Sequence, residues 1–376
     1  MSTHSVAPVH VDFSESDIAQ ILDTLRSKLA AGQVSQGSEV AAFEREFAYF
    51  VGSAHAVALS SGSAAIEAAV AALKPDGATV LVPANTNFAT YVSVLRGGAR
   101  VRLVDVDPAT LSPSVDDLEN GFDATVAGVV VVHMGGIISR DLSAIANWCT
   151  DRGIWLLEDC AHAHGSFLGG RHAGRFGVGG AFSFFATKVM TSGEGGMFVT
   201  DDESLAQEVR LFRNLGKPNL WENHHVRLGT NARMSEFCAI VGRRQLFRLK
   251  EFVDARQRVA GQYTNLLDGF EHGQVVLPAD RYSGYKYVVL LASDMDRDRV
   301  AQEMRARGVP PSGYIYETPL HRQPVLAQSF EHAAFPASER YCAQHICLPI
   351  HSKIDCNSAD LVAKVFLQSC AAARRR

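Results

Sequence analysis

No two cysteines in this chain are spaced as a CxxC pair, and the seven present, at 149, 160, 238, 342, 347, 356 and 370, are odd in number and irregular in spacing. Neither a disulfide framework nor a zinc knuckle is supported, so no metal site is expected and a reducing cytoplasm is the expected home. No apolar run reaches membrane-spanning length, and residues 1–16 lack the basic segment and apolar core of a secretory signal. Neither sign of charge dominates: 36 Lys and Arg against 40 Asp and Glu leave a net charge of −4, which gives no reason to expect nucleic acid or an anionic membrane as partner. The terminal Arg374-Arg375-Arg376 run reads as cations complementing a helix C-terminus, or as a solvated tail. Two nucleotide-binding fingerprints are missing as well. The first strand candidate runs into Leu59-Ser60-Ser61-Gly62-Ser63-Ala64, without the three glycines of a dinucleotide-binding turn, and no Walker A loop occurs. A nicotinamide-dependent oxidoreductase is thereby disfavoured.

What is present is a globular composition, 47% hydrophobic and 20% charged, with enough chain for a large core. A length of 376 residues predicts two domains. Helical spacing at 14–31 and 39–50 is followed by short apolar runs at 56–59, 79–83, 101–106, 126–132 and 154–158. Helical patterns at 64–73, 88–95 and 142–152 separate most of them, which predicts an α/β fold with a mostly parallel sheet covered on both faces. Helices at 202–214 and 235–267 come next. A final segment has strand candidates at 285–291 and 312–316 and helices at 297–307 and 358–373. The boundary is expected near residue 252, giving a large domain 1–252 and a smaller α+β domain 253–376.

Lys188 sits in the run FSFFATKVMTSGEGGM, between the strand-like 182–185 and a glycine-rich reversal leading to a second apolar stretch, 197–199. Burial between strands disfavours an ammonium, lowers its pKa and raises its nucleophilicity, which suits a Schiff base with an aldehyde cofactor such as pyridoxal 5'-phosphate. The other handles such a cofactor needs have candidates. Ser61-Gly62-Ser63, between a strand and a helix, has the form of an anion site, or of a plain N-cap. Ser183 could add a hydroxyl. Asp159, at the end of a parallel strand, could pair with the pyridine nitrogen, or simply close a turn. His162 could donate to the ring hydroxyl or pack in a loop, and Phe88 could stack on the ring or fill the core.

These residues stand in ALSSGSAA (Ala58 to Ala65), VPANTNFAT (Val82 to Thr90), VDVDP (Val104 to Pro108), VHMGG (Val132 to Gly136), EDCAHAHG (Glu158 to Gly165), FSFFATK and GEGGM. RNLG (Arg213 to Gly216), GTNARMSE (Gly229 to Glu236), PLHRQP (Pro319 to Pro324) and LPIH (Leu348 to His351) follow in order. Nearly the whole chain thus resembles the DegT/DnrJ/EryC1/StrS family of sugar aminotransferases, pyridoxal-phosphate enzymes of fold type I. The resemblance implies that Lys188 binds the cofactor covalently and acts catalytically with Asp159, which holds the ring nitrogen. It implies His162 near the ring hydroxyl, Phe88 on the ring face, and Gly62, Ser63 and Ser183 on the phosphate. It also implies Asn231 reaching the phosphate from a neighbouring subunit, hence a homodimer with shared sites, and His321 at the substrate entrance. The implied reaction moves an amino group from a donor, L-glutamate by analogy, to a keto-sugar, nucleotide-linked or phosphorylated, or to a keto-cyclitol.

Some residues depart from the family pattern. Ser63 stands where threonine is common, Cys160 replaces a small residue and reads as a space filler, VHMGG replaces His-Leu-Tyr-Gly, and Tyr285-Lys286-Tyr287 differs from many members. Lys217, Arg243, Lys286 and Arg322 are candidate phosphate partners or solvated surface charges. Two further readings stand beside the aminotransferase. Related sugar dehydratases carry histidine at the Schiff-base position, which Lys188 argues against. A cofactor-binding sensor or scaffold without turnover is opposed by the intact lysine, aspartate and phosphate motifs.

Overall fold

The computed structural model describes residues 5–219 and 221–374. Two helices, α1 (Glu15–Ala30) and α2 (Ser38–Val51), precede β1 (His55–Leu59). Alternation follows through α3 (Gly62–Ala72), β2 (Thr79–Pro83), α4 (Phe88–Arg96), β3 (Arg100–Val104), α5 (Val115–Gly121), β4 (Val126–Val132), α6 (Leu142–Asp151) and β5 (Trp155–Asp159). A two-residue hairpin, β6 (Phe167–Leu168) and β7 (Arg171–His172), leads to β8 (Gly179–Ser183), β9 (Gly196–Thr200), α7 (Glu203–Arg213) and the long α8 (Glu236–Leu266). The last segment holds β10 (Gly273–Val275), β11 (Tyr287–Leu291), α9 (Arg297–Ala306), α10 (Pro336–Gln344), β12 (His345–Leu348) and α11 (Cys356–Ala372).

The main sheet has seven strands in the order β1-β9-β8-β5-β4-β2-β3, and only β9 runs antiparallel to its neighbours. This is the α/β architecture that the alternation predicted. Strands β2, β4 and β5 are buried over nearly their whole length, as a sheet covered on both faces requires. One face packs on α2, α6 and α8 through Phe43, Phe47, Trp148 and Phe252, the other on α3 and α7 through Ile66, Val70 and Val209. A second, three-stranded antiparallel sheet, β10-β11-β12, builds its own core with Tyr263 of α8, Val300 of α9 and Phe366 of α11. Arg374 ion-pairs with Asp294 at 3.1 Å just beyond α11. Arg375 and Arg376 lie outside the described residues.

The strand expected at 312–316 does not form. Its amides are committed elsewhere: Ile315 N–H donates to His345 Nε2 at 2.7 Å and Tyr316 N–H to Asn85 Oδ1 at 3.3 Å. Ser312 N–H still reaches Cys347 O of β12 at 2.8 Å, but beyond it side-chain acceptors take the donors that a ladder would need, and the segment crosses as irregular chain towards the main sheet. The strand expected from 285 begins at Tyr287, and Lys286 N–H is bound instead to Gly135 O at 3.2 Å.

Candidate active site

A cavity of about 240 Å³ lies beyond the carboxyl ends of β1, β2 and β5. Ligands of open α/β sheets gather there. Its wall includes Gly62, Ser63, Asp159, His162, Ser183 and Lys188, all singled out from the sequence, together with Thr86, Asn87, Thr90, Glu194 and Tyr316. The volume falls below the ~300–1,000 Å³ of sites that enclose a drug-sized ligand. It suits a small aromatic phosphate, with any larger substrate lying across the mouth.

One end is built for an anion. Ser61 is the N-cap of α3, and its hydroxyl accepts the Ala64 N–H at 3.1 Å. The Gly62 and Ser63 amides are first in the helix, so they have no intrahelical acceptor and carry the positive end of the dipole. A Cβ at Gly62 would sit 2.7 Å from Ser183 Cβ, so only glycine lets β8 close on the helix start and bring the Ser183 hydroxyl to the cavity. Capping and anion binding are thus shared out along one turn: Ser61 caps, and Gly62 and Ser63 face the cavity.

The other end carries a carboxylate. Asp159 is 5% exposed; its Oδ2 accepts the Thr90 hydroxyl at 2.8 Å and its Oδ1 the Ala161 N–H at 3.0 Å. Burial pushes its pKa up from the usual carboxylate range, opposed by those two bonds and by the charge of Lys188. A cation placed against it is what would keep it ionised. The His162 ring stacks on Tyr285, with centroids 4.2 Å apart and planes at 19°, and its Nε2 lies 3.4 Å from the Tyr316 hydroxyl. Its Nδ1 is buried without a partner. Burial and the nearby lysines hold this imidazole neutral. The Lys188 amine lies 5.1 Å from the centroid of the Tyr285 ring. Burial brings it down to about 8, against the pull of Asp159, so a sizeable fraction is uncharged and nucleophilic near neutral pH.

Three expected site residues stand apart from this wall. Phe88 opens α4, is 38% exposed and stacks on Tyr91 at 6.0 Å, while its neighbours Asn87 and Ala89 line the cavity. Asn231 is exposed and bridges to Asn214. His321 is buried, with Nε2 2.7 Å from Glu339. The basic residues are also placed. Arg243 pairs with Glu39 and Glu46, Arg322 with Glu339, and Lys217 lines a separate groove beside Trp221. Lys286 is neither surface charge nor phosphate arm, because it is 7% exposed and bonded to Ser312. Cys160 is buried with a thiol pushed well up by burial and by Glu158 and Asp159, as a space filler should be.

Among the described residues, one buried trio offers metal-ligand chemistry: His133, Glu158 and Cys160. Glu158 is already committed, accepting the amides of Gly174, Phe176 and Gly177 and the His133 ring. The trio is a closed hydrogen-bond network behind the cavity.

Thr90, Tyr285 and Tyr316 were not found from the sequence. Thr90 lies two residues past Phe88 in a quoted motif, so a helix-period reading from Asn87 would have reached it. Tyr285 and Tyr316 come from a remote segment; Tyr285 registers only as a departure from the family pattern, and Tyr316 carries no local signal.

The model of the DegT/DnrJ/EryC1/StrS aminotransferase family matches residues 15–366. A dTDP-4-dehydro-2,3,6-trideoxy-D-glucose 4-aminotransferase of Saccharopolyspora spinosa is 32% identical over 365 residues, 92% of each chain. A GDP-perosamine synthase of Caulobacter vibrioides is 32% identical over 331 residues, 86% of each. Among solved structures, the aminotransferase TlmJ from Streptoalloteichus hindustanus superposes with a TM-score of 0.87 at 29% identity, over 98% of this chain and 99% of that one.

Proposed function

Since the chain belongs to the DegT/DnrJ/EryC1/StrS aminotransferase family, we propose that it uses pyridoxal 5'-phosphate to move an amino group from L-glutamate to a nucleotide-linked keto-sugar. The observation that carries this reading is the single small cavity where an amine of lowered pKa, a buried carboxylate and a helix N-terminus meet. The residues fit the cofactor: Gly62, Ser63 and Ser183 for the phosphate, Asp159 for the ring nitrogen, and the neutral His162, whose Nδ1 has no partner, for the ring hydroxyl. When bound, the cofactor supplies an electron sink for charge left on a substrate carbon. Lys188 would hold its aldehyde covalently. With the cofactor bound, the Lys188 amine would take a proton from the substrate carbon as general base and deliver it, as general acid, to the cofactor carbon that had borne the aldehyde. Thr90 fixes the Asp159 carboxylate, which would serve as the counter-ion of a protonated ring nitrogen. Lys188 and Asp159 are thus the catalytic pair.

The acceptor class rests on the names of the relatives, one dTDP-linked and one a GDP-perosamine synthase. A keto-cyclitol acceptor uses the same chemistry. We place the working unit as a homodimer, with the partner copy supplying Asn231 to the phosphate and closing the mouth near Phe88 and His321. Support comes from Tyr49 on α2, Phe247 on α8, and Trp221 and Leu228 between α7 and α8, which are 75% to 93% exposed in the single chain. We divide the chain at residue 252, into 1–252 and 253–376. Seven free cysteines, mostly buried, fit a reducing cytoplasm, and no described helix is long and apolar enough to cross a membrane.

The test is to incubate the protein with pyridoxal phosphate, L-glutamate and a panel of dTDP-, UDP- and GDP-linked keto-hexoses. Stoichiometric 2-oxoglutarate and an amino sugar detected by mass spectrometry are expected from at least one. Turnover of a keto-cyclitol alone would move the acceptor to that class, and conversion of none would overturn the proposal.

A further inference from the structure

Lys286 is a second buried lysine that the mechanism above does not use. It is 7% exposed, and its Nζ donates to the Ser312 backbone oxygen and, at 3.3 Å, to the Ser312 hydroxyl. Both partners are neutral, and no carboxylate pairs with it among the described residues. Such a placement opposes folding unless something else is gained from it. The place is specific. Lys286 Nζ lies 5.3 Å from the centroid of the Tyr285 ring, and Lys188 Nζ lies 5.1 Å from the same centroid. The two amines are therefore no further apart than the sum of those distances. The intervening residue is pinned: Tyr285 N–H donates to Ser283 Oγ at 3.2 Å, and that hydroxyl donates to His162 O at 2.6 Å.

We propose that Lys286 is a positioning residue of the active site, whose buried charge beside Lys188 on the shared Tyr285 ring keeps the Lys188 amine in its uncharged, reactive form. A neighbouring cation is one of the ways an amine nucleophile is activated. The consequence for turnover rests on the aminotransferase reading; the electrostatic pairing does not. The other groups that face this pair come from several elements. Asp159 at the end of β5 favours the charged Lys188 amine, while burial, and then the Arg256 guanidinium of α8, pull the pKa of Lys286 itself down. His162, His164 and His345 are held neutral by burial, and so are the phenols of Tyr285 and Tyr316 and the thiol of Cys347 on β12. Removing Lys286 leaves Asp159 and the ring in place, so the sign of the effect is fixed: Lys188 binds its proton more tightly.

The experiment uses the full-length protein freed of cofactor and an amine-reactive anhydride. Modification of the Lys188 peptide is followed by mass spectrometry over a pH series. Lys286→Gln keeps an amide donor for Ser312 but no charge, and Lys286→Arg keeps the charge; thermal melts establish that each is folded. Lys188 in Lys286→Gln should react about three- to tenfold more slowly at neutral pH, with its curve displaced to the alkaline side. Lys286→Arg should stay within about twofold of wild type. If Lys286→Gln does not fold, Lys286→Met, of matching length, replaces it. An unchanged curve in a folded neutral variant, or an equal displacement in Lys286→Arg, overturns the proposal. Labelling needs no cofactor, so a normal cofactor spectrum with an unchanged curve sinks the lysine pair alone. A shifted curve without any cofactor binding sinks only the aminotransferase reading.

Discussion

On one side of β5, Glu158 takes the amides of Phe176 (2.6 Å), Gly174 (2.7 Å) and Gly177 (3.1 Å) and the His133 ring (2.9 Å). On the other, Asp159 takes one hydroxyl and one amide, beside an imidazole nitrogen with no partner and two helix-start amides that face the cavity. The two carboxylates are consecutive in the chain and both are buried. They differ in completeness. A buried polar group that has all its partners is holding the fold together; buried groups that converge on a cavity with capacity left over are set up for a ligand. The pleat enforces the division, since successive side chains of a strand point to opposite faces.

The comparison breaks most decisively if the two carboxylates are exchanged in effect. Asp159→Asn should lower kcat on the order of 10²–10³-fold, with little change in thermal midpoint. Glu158→Gln should do the reverse. Its amide cannot accept all the bonds that the carboxylate accepts, and a loss of about 3 kcal/mol in unfolding free energy is expected from denaturant titration. Equal losses of stability in the two variants would erase the distinction.

Acid should also act through histidines buried behind the cavity. His172, in the hairpin beside Glu158, accepts the Gly165 N–H at Nε2 (3.1 Å), and burial pushes it down to about 4. His164 is pushed down to about 3, also by burial. Both folded values lie below the unfolded value of ~6.5, so between these limits the unfolded chain binds protons that the fold does not. Their contribution is fully present above pH ~6.5 and is lost as pH falls, by up to about 3 kcal/mol for His172 near pH 4. Thermal midpoints should decline through that window, and His172→Gln should flatten the decline; a midpoint independent of pH would contradict the assignment. The smallest effect sharpens the cavity side. Thr90→Val removes the hydroxyl from Asp159 and should lower kcat on the order of tenfold while leaving the midpoint within about a degree. A change in stability with no change in rate would move Thr90 to the structural side.

The sequence carried the cavity's own handles well because they stand at strand ends and helix starts, where local pattern and function coincide. Ser61-Gly62-Ser63, Asp159, Ser183 and Lys188 were legible in this way. It did not carry what the last segment brings back across the main sheet. The pattern of 312–316 predicts a strand through Tyr316, yet His345 takes the Ile315 amide and Asn85 the Tyr316 amide. Lys286 looked like one more surface cation, since nothing local to it announces burial against Ser312. Helix α10, opened by Pro336, and the three-residue β10 were missed because neither has enough periodic residues to register. Phe88, Asn231 and His321 do not line the cavity in the single chain, so their roles rest on the proposed homodimer.

The most direct measurement is the visible spectrum of the protein with pyridoxal phosphate, before and after L-glutamate, with Lys188→Ala alongside. The account predicts a yellow band in the wild type that bleaches on adding the donor, and no such conversion in the variant. A wild-type protein that shows no band after incubation with the cofactor, or a Lys188→Ala protein that converts like wild type, would contradict it.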